Sequence, residues 1–154
     1  MIQTQAHAGE RNSERGGEVV SLQICIAPRT PMLKLDAVRV LENRGLEGDR
    51  HAMPDSARQV LLIEAETLEA YNVLAGAIRE NITTRGIDLM GLPNGTRLQV
   101  GSALLETTKE CTPCSMVDEV RMGLREELRG KRGMLARVVR GGEIRIGDEI
   151  RVGA

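Results

Sequence analysis

The chain has 154 residues, with 21 basic and 22 acidic side chains and a net charge of −1. That length sets one domain as the expectation. The charge balance excludes a globally basic nucleic-acid-binding domain and leaves room only for a local basic patch. With no Phe, no Trp and a single tyrosine, Tyr71, the chain lacks platforms for stacking single-stranded nucleic acid. A flat ring ligand would have to be held by hydrogen bonds, arginine planes and backbone. The core falls to Val, Ile, Leu, Met and Ala, and a hydrophobic content of 41% is enough for one. No run is long and apolar enough to span a bilayer, and the N-terminus carries no signal-like apolar stretch. With an odd number of cysteines, three, the expected setting is cytoplasmic and reducing, with free thiols and neither membrane nor nucleic acid as partner.

Residues 1–17 are polar and charged, and are expected to be a flexible N-terminal tail ahead of a single domain over 18–154. Glu18 to Ala27 alternates Val20, Leu22, Ile24 and Ile26 against Val19, Ser21, Gln23 and Cys25, the pattern of a half-buried strand. Cys25 is expected to be a small packed thiol. After the turn at Pro28 to Pro31, Met32 to Glu42 is a second strand-like run. Asn43 to Met53 is a loop rich in glycine and charge, with Glu47, Asp49, Arg50 and His51 crowded around Gly48. It suits either a binding loop or an ordinary solvated turn. Arg58 to Ile63 is a short buried strand. Glu64 to Leu74 is a helix with Ala65, Leu68, Ala70, Tyr71 and Leu74 on one face, ended by Gly76. Arg79 and Asn81 share a parity, so a strand there would point both into one cavity or along one polar rim. Gly86 to Gly95 is a loop, and Thr96 to Val100 with Ser102 to Thr107 a hairpin.

Next comes Thr107 to Cys114, which holds two of the three cysteines. It follows a strand-like run and precedes a helix-like run, Ser115 to Leu128, with Met116, Val120, Leu124 and Leu128 on the core face. A strand end entering a helix presents backbone N–H groups that favour an anion. The thiolate is the form of cysteine that attacks electrophiles and binds metals, and Pro113 stiffens the approach to Cys114. Structural zinc would want further ligands at matched spacing, which Cys25, His7 and His51 do not provide. A thioredoxin-like pair would want a βαβ setting, absent here. A lone working thiol at Cys114, or two merely packed cysteines, remain. Strands at Met134 to Arg140, Glu143 to Ile146 and Glu149 to Val152 with Gly turns complete the chain. Many short strands and few helices, without a βαβ rhythm, imply a mainly β barrel with peripheral helices.

The ordered set of motifs resembles a known family. It runs Gly45-Leu46-Glu47-Gly48-Asp49-Arg50-His51, Arg58-Gln59-Val60, Glu64, Arg79-Glu80-Asn81-Ile82, Gly101, Glu106-Thr107 to Pro113-Cys114, Gly133, Ala136, Arg137, and Gly142 to Asp148. This resembles the MOSC domain, named for the C-terminal part of molybdenum cofactor sulfurases, from about Val19 to Val152. The resemblance implies a MOSC-type β-barrel with a cleft that binds the molybdenum cofactor, a molybdopterin dithiolene. It implies that Cys114 ligates molybdenum or carries a persulfide, roles that need a soft thiolate. By the same resemblance Gly48, Asp49, Arg50, His51, Arg79, Asn81, Thr107 and Cys111 surround the cofactor, with Arg50 and Arg79 as forked donors to phosphate. Sulfurases proper carry a pyridoxal-phosphate domain, for which this chain is too short. A cysteine desulfurase would then supply sulfur. If the activity is reduction of N-hydroxylated compounds, an electron-donor protein would supply electrons. Cys111 stands where related sequences often place other residues, which would allow a disulfide or persulfide relay with Cys114. A non-catalytic module that stores or delivers cofactor is the other function the resemblance allows.

Overall fold

Short apolar runs punctuated by Gly, Pro and Asn become eleven strands in the computed structural model, which describes residues 16–153. The strands are β1 (Gly17–Ile24), β2 (Leu33–Leu35), β3 (Ala37–Leu41), β4 (Gly45–Leu46), β5 (Val60–Glu64), β6 (Ile82–Arg85), β7 (Arg97–Val100), β8 (Ala103–Glu110), β9 (Met134–Arg140), β10 (Gly142–Arg145) and β11 (Glu149–Val152). Helix α1 (Ala65–Ala70) follows β5. A 3-10 turn (Ser115–Glu119) and helix α2 (Leu124–Glu127) lie between β8 and β9. Most of the expected tail, His7 included, lies outside the described residues. Its last residue, Gly17, already belongs to β1 and pairs with Ile150. Among the described residues no helix is long and apolar enough to cross a membrane.

Strands β1, β6, β5, β9, β8, β7 and β11 are hydrogen-bonded in that order, and β11 pairs back with β1 to close a seven-stranded barrel. A small sheet, β10-β3-β4, adds Val38, Val40, Leu46 and Ile144 to the same core as the barrel residues Leu22, Leu62, Ile82, Leu98 and Leu105. The mainly β barrel with peripheral helices is therefore the architecture observed. One pairing, β5 with β6, is parallel. A parallel pair needs a long crossover. Residues 65–81 supply it: α1 lies by Arg85 and Gly86 at the C-terminal end of the pair, and the chain then returns to bring the Arg79–Asn81 turn to the opposite end, beside Leu61.

Local departures from simple periodicity shape the strands and helices around the barrel. A bulge between Val19 and Ser21 shifts the register of β1 against β6. Val19 is thus fully buried, while Ile26 is 55% exposed, the reverse of strict alternation. Helix α1 stops at Ala70, well short of Leu74. Asn72 adopts a left-handed φ of 56°, Val73 N–H reaches Leu68 O and Asn72 N–H reaches Glu69 O. That is a Schellman ending with Asn in place of Gly, so Leu74 lies outside the helix and 82% exposed. The expected long helix after Cys114 is broken by Gly123, at φ 91°. Its buried face is Val117, Leu124 and Leu128, while Val120 is 41% exposed. These three residues join Ile63, Leu68, Val73 and Ile78 in a second apolar cluster beside the barrel.

Gly133 opens β9 at φ 131°, and a Cβ there would lie 2.5 Å from the Leu62 carbonyl oxygen. Gly133→Ala should therefore cost on the order of 3 kcal/mol. Gly130→Ala, also at positive φ but with nothing within 4 Å of the added carbon, should cost only about 1 kcal/mol. Urea denaturation of the two variants checks the difference.

Candidate functional site

The barrel end that carries the Arg79–Asn81 turn opens into a cavity of about 770 Å³. The loop after β1 contributes Cys25, Pro28 and Arg29 to its wall, and the loop after β4 contributes Arg50 and His51. Ala77, Arg79 and Asn81 come from the crossover. Cys111, Thr112 and Cys114 come from the stretch after β8, and Arg132 and Leu135 from the start of β9. All three cysteines of the chain line this one space. They are free thiols, Cys25 and Cys111 buried and Cys114 exposed.

Asp49 fixes the geometry without touching the cavity. Its buried carboxylate accepts from Cys25 N–H at 2.7 Å and Asn81 Nδ2 at 3.2 Å through one oxygen, and from His51 N–H at 3.2 Å through the other. Arg50 N–H in turn donates to Cys25 O at 2.7 Å. Asn81 Oδ1 accepts from Leu61 N–H on β5, and Asn81 Nδ2 also donates to Gln23 O on β1. Asp49 and Asn81 thus lock three chain segments together, leaving Arg50 and His51 displayed on the wall. Gly48, at φ 89°, makes the turn that allows this. Thr107 is likewise behind the wall: its hydroxyl donates to Pro93 O and accepts from Thr96 N–H, fastening the turn before β7. Of the expected cofactor-contacting residues, Arg50, His51, Arg79, Asn81, Cys111 and Cys114 meet in the cavity, while Gly48, Asp49 and Thr107 support it from behind.

The two neighbouring cysteines differ. Cys111 is packed with Leu61 and Leu135, and its N–H donates to Gly133 O at 2.9 Å. Cys114 is extended, at φ −112° and ψ 174°, and heads a 3-10 turn of five residues. So short a turn sums few peptide dipoles. Positive charge at the site comes instead from side chains.

Five arginines line the cavity, Arg29, Arg50, Arg58, Arg79 and Arg132, against one carboxylate, Glu119. None of the five forms an ion pair among the described residues, whereas seven arginines elsewhere, among them Arg85, Arg97 and Arg137, do. Arg79 adopts a left-handed φ of 72°, which turns its guanidinium to donate to Thr30 O and, at 3.7 Å, to Cys25 Sγ. Arg79 and Asn81 therefore share the cavity from a turn; the strand β6 starts only at Ile82. Arg132, buried at 3% exposure, was hidden in sequence within a run of mixed charge. Arg29 and Glu119 also carried no motif signal. Among the described residues no three His, Cys, Asp or Glu side chains are placed to hold a metal ion together. A metal here would come with other ligands, and protein sulfur would add to them.

A family model for the MOSC domain matches residues 47–151. No curated protein sequence matches the chain. Among solved structures the chain is similar to YuaD from Bacillus subtilis, at 22% identity and a TM-score of 0.76, covering 88% of this chain and 94% of that one. It is also similar to YiiM from Escherichia coli, at 18% identity and a TM-score of 0.70, covering 89% and 70%. YiiM from Geobacillus stearothermophilus matches at 22% identity and a TM-score of 0.70, covering 88% and 74%. At such identities the likeness establishes the fold.

Two outcomes follow from the buried carboxylates. Asp49→Ala leaves the Cys25 and His51 amides without their acceptor and takes one of two acceptors from Asn81 Nδ2, and should lose about 2–4 kcal/mol in urea denaturation. Glu80 is buried, and burial raises its carboxyl above the ordinary 4.5, against the opposing pull of the Gly76 N–H and the Arg132 charge. The folded state then holds this proton more tightly than the unfolded one, so its contribution to stability falls as pH rises from about 4.5 through the raised value. Stability measured at a series of pH values should decline over that window more in the native protein than in Glu80→Gln.

Proposed function

The chain belongs to the MOSC domain family, and on that premise we propose that it binds the molybdenum cofactor in the cavity, with Cys114 as its sulfur ligand or as the carrier of a persulfide. The observation that carries this reading is one exposed thiol sharing a wall with five arginines, none of which forms an ion pair among the described residues. The residues present fit the group. The cofactor is a pterin dithiolene bearing a phosphate, so it needs donors for an anion, hydrogen-bonding groups for a ring, and a soft sulfur for the metal. Arg50 and Arg79 offer forked donors to phosphate. Arginine planes and backbone would hold the ring, as a cavity without Phe, Tyr or Trp requires.

When bound, the cofactor supplies a molybdenum centre able to exchange electrons and oxygen with a substrate. The protein's own part is to present Cys114 on a stiff segment, to hold the anionic end among the arginines, and to keep His51 on the wall as a proton carrier. Asp49 Oδ2 lies 3.7 Å from His51 Nδ1, beyond hydrogen-bond reach, and holds the residue through its backbone N–H at 3.2 Å. In the reductase form of the reading, an N-hydroxylated substrate takes up two electrons and two protons and yields an amine and water. The electrons come from a partner protein, since three cysteines cannot by themselves supply the four thiolates of an iron–sulfur cluster. Exposure of Cys114 favours a second form, in which a cysteine desulfurase loads it with sulfane sulfur for transfer, or the chain only stores and delivers cofactor.

The test is the molybdenum and pterin content of the protein expressed in cofactor-competent cells, native beside Cys114→Ser. Near-stoichiometric molybdenum that is lost in the variant is the expected result, with hydroxylamine-type substrates as the next assay. Full molybdenum and activity in Cys114→Ser would remove Cys114 from the site. A metal-free native protein bearing a persulfide on Cys114 would select the sulfur-carrier form.

A further inference from the structure

Among the described residues, Arg132 is a charged group on the cavity wall that is nearly fully buried and still has unused donors. Its Nη2 donates to Ile78 O, while Nε and Nη1 have no partner. A guanidinium cannot escape the cost of burial by losing its proton, and a buried charge without a partner costs several kcal/mol. The nearest candidate partner, Glu80, is engaged elsewhere. Its Oε2 accepts from Gly76 N–H at 2.6 Å and from the Thr83 hydroxyl at 3.3 Å. No ion pair joins it to Arg132, and its Oε1 is itself without a partner. The Ile78 bond occupies Nη2 and leaves Nε and Nη1 without partners. These two donors lie on different edges of the guanidinium, and each edge is completed by Nη2, so exchanging the Ile78 carbonyl for a ligand would give a two-donor edge that matches two oxygens of a phosphoryl or carboxylate group.

We propose that Arg132 is an oxyanion-binding residue on the inner wall of the cavity, which exchanges the Ile78 carbonyl for an anionic oxygen pair of the occupying molecule, held on Nη2 and one of the two unpartnered donors. Neither unpartnered donor meets solvent, so the guanidinium gives up the Ile78 bond and turns about its terminal torsions to present that edge. The inference rests on the cavity being a ligand site, and does not depend on molybdenum. The anion has two possible sources, the phosphate of a resident cofactor or an anionic group of a substrate.

The experiment is calorimetric titration of the purified, cofactor-free full chain with inorganic phosphate at low ionic strength, for the native protein, Arg132→Lys, Arg132→Gln and Arg58→Gln. Both Arg132 variants should bind phosphate about tenfold or more weakly, because Lys keeps the charge and loses the fork. Arg58→Gln, on the exposed rim, should lose less. Since a variant of a buried arginine can fail to fold, a second measurement uses the native chain: the Arg132 Nε–H resonance should shift on phosphate addition. Undiminished phosphate binding by folded Arg132→Lys or Arg132→Gln, an unmoved Arg132 Nε–H at saturation, or no phosphate binding by the native chain would each overturn the proposal. Repeating the titration on cofactor-loaded protein separates the sources. Phosphate excluded by loading assigns the subsite to the cofactor, and phosphate still bound in an Arg132-dependent way assigns it to a substrate. A chain that never acquires molybdenum but binds phosphate through Arg132 would refute the cofactor reading and leave this one standing.

Discussion

Both oxygens of the Asp49 carboxylate are committed to the protein, and three separated segments depend on them. The end of β1, the loop after β4 and the crossover to β6 meet at this one buried side chain, through the amides of Cys25 and His51 and the Asn81 carboxamide. Hydrogen bonds to an ionised acceptor are about twice as strong as neutral ones. Here they replace regular ladder bonds, which end at Ile24 on β1 and do not begin until Ile82 on β6. A barrel end without such a tie would have irregular backbone with unpaired amides around an open cavity. With it, Arg50, His51, Arg79 and Asn81 hold fixed positions although none of them lies in a strand.

The distribution of arginine follows the same division between support and display. On the outside, arginines such as Arg97 and Arg137 share Glu106, and Arg85 meets Glu69. Such exposed pairs contribute little to stability, but they cancel charge. In the cavity Arg79 and Arg132 meet carbonyls and a thiol, and none of the five arginines forms an ion pair among the described residues. A near-neutral chain thus has a locally positive interior wall. A concave low-dielectric surface of one sign concentrates field and draws anions inward. The electrostatic feature that matters is local, which is why the net charge of −1 excluded so little about ligands.

How much of this was legible in the sequence depended on whether local pattern or tertiary contact fixed each feature. The hairpin of β7 and β8, the final strands and the barrel class followed from alternation and glycine turns. The inward phase of β1 did not, because one bulge at Val19–Ser21 resets it and a bulge has no periodic signature. Asn72 ended α1 early by adopting a conformation more often left to glycine, with Gly76 still ahead as the more obvious stop. Gly123 divided what spacing presented as a single helix, so Val117 took the buried place expected for Val120. The motif loops bring Arg50, His51, Arg79 and Asn81 to one cavity. Residue identity alone cannot distinguish a side chain that lines a wall from one that braces it, and Asp49, Gly48 and Thr107 brace. Arg132 carried no signal at all, since a run ending in Gly-Lys-Arg reads as a solvated helix end until tertiary packing encloses one member of it.

Two cysteines three residues apart suggest a pair with one job, yet the packing gives them different ones. Cys111 is a core residue in the physical sense: its neighbours are Leu61 and Leu135, and its amide extends the β8–β9 pairing to Gly133. Cys114 lies past Thr112 and Pro113, whose ring fixes φ and removes a donor, and its sulfur is open to solvent. Anchoring Cys111 therefore shortens the free span before Cys114 to two residues, one of them stiff. A sulfur that must meet an incoming metal or accept a sulfur atom gains most from being held still without being covered. A buried thiol followed by a proline and an exposed thiol achieves that with no metal ion or disulfide needed to set it. The same burial removes Cys111 from ready exchange with Cys114, since thiol–disulfide chemistry depends on access as well as on thiolate. Cys111 then serves Cys114 as its foundation, and of the two sulfurs it is the exposed one that an incoming reactant can reach.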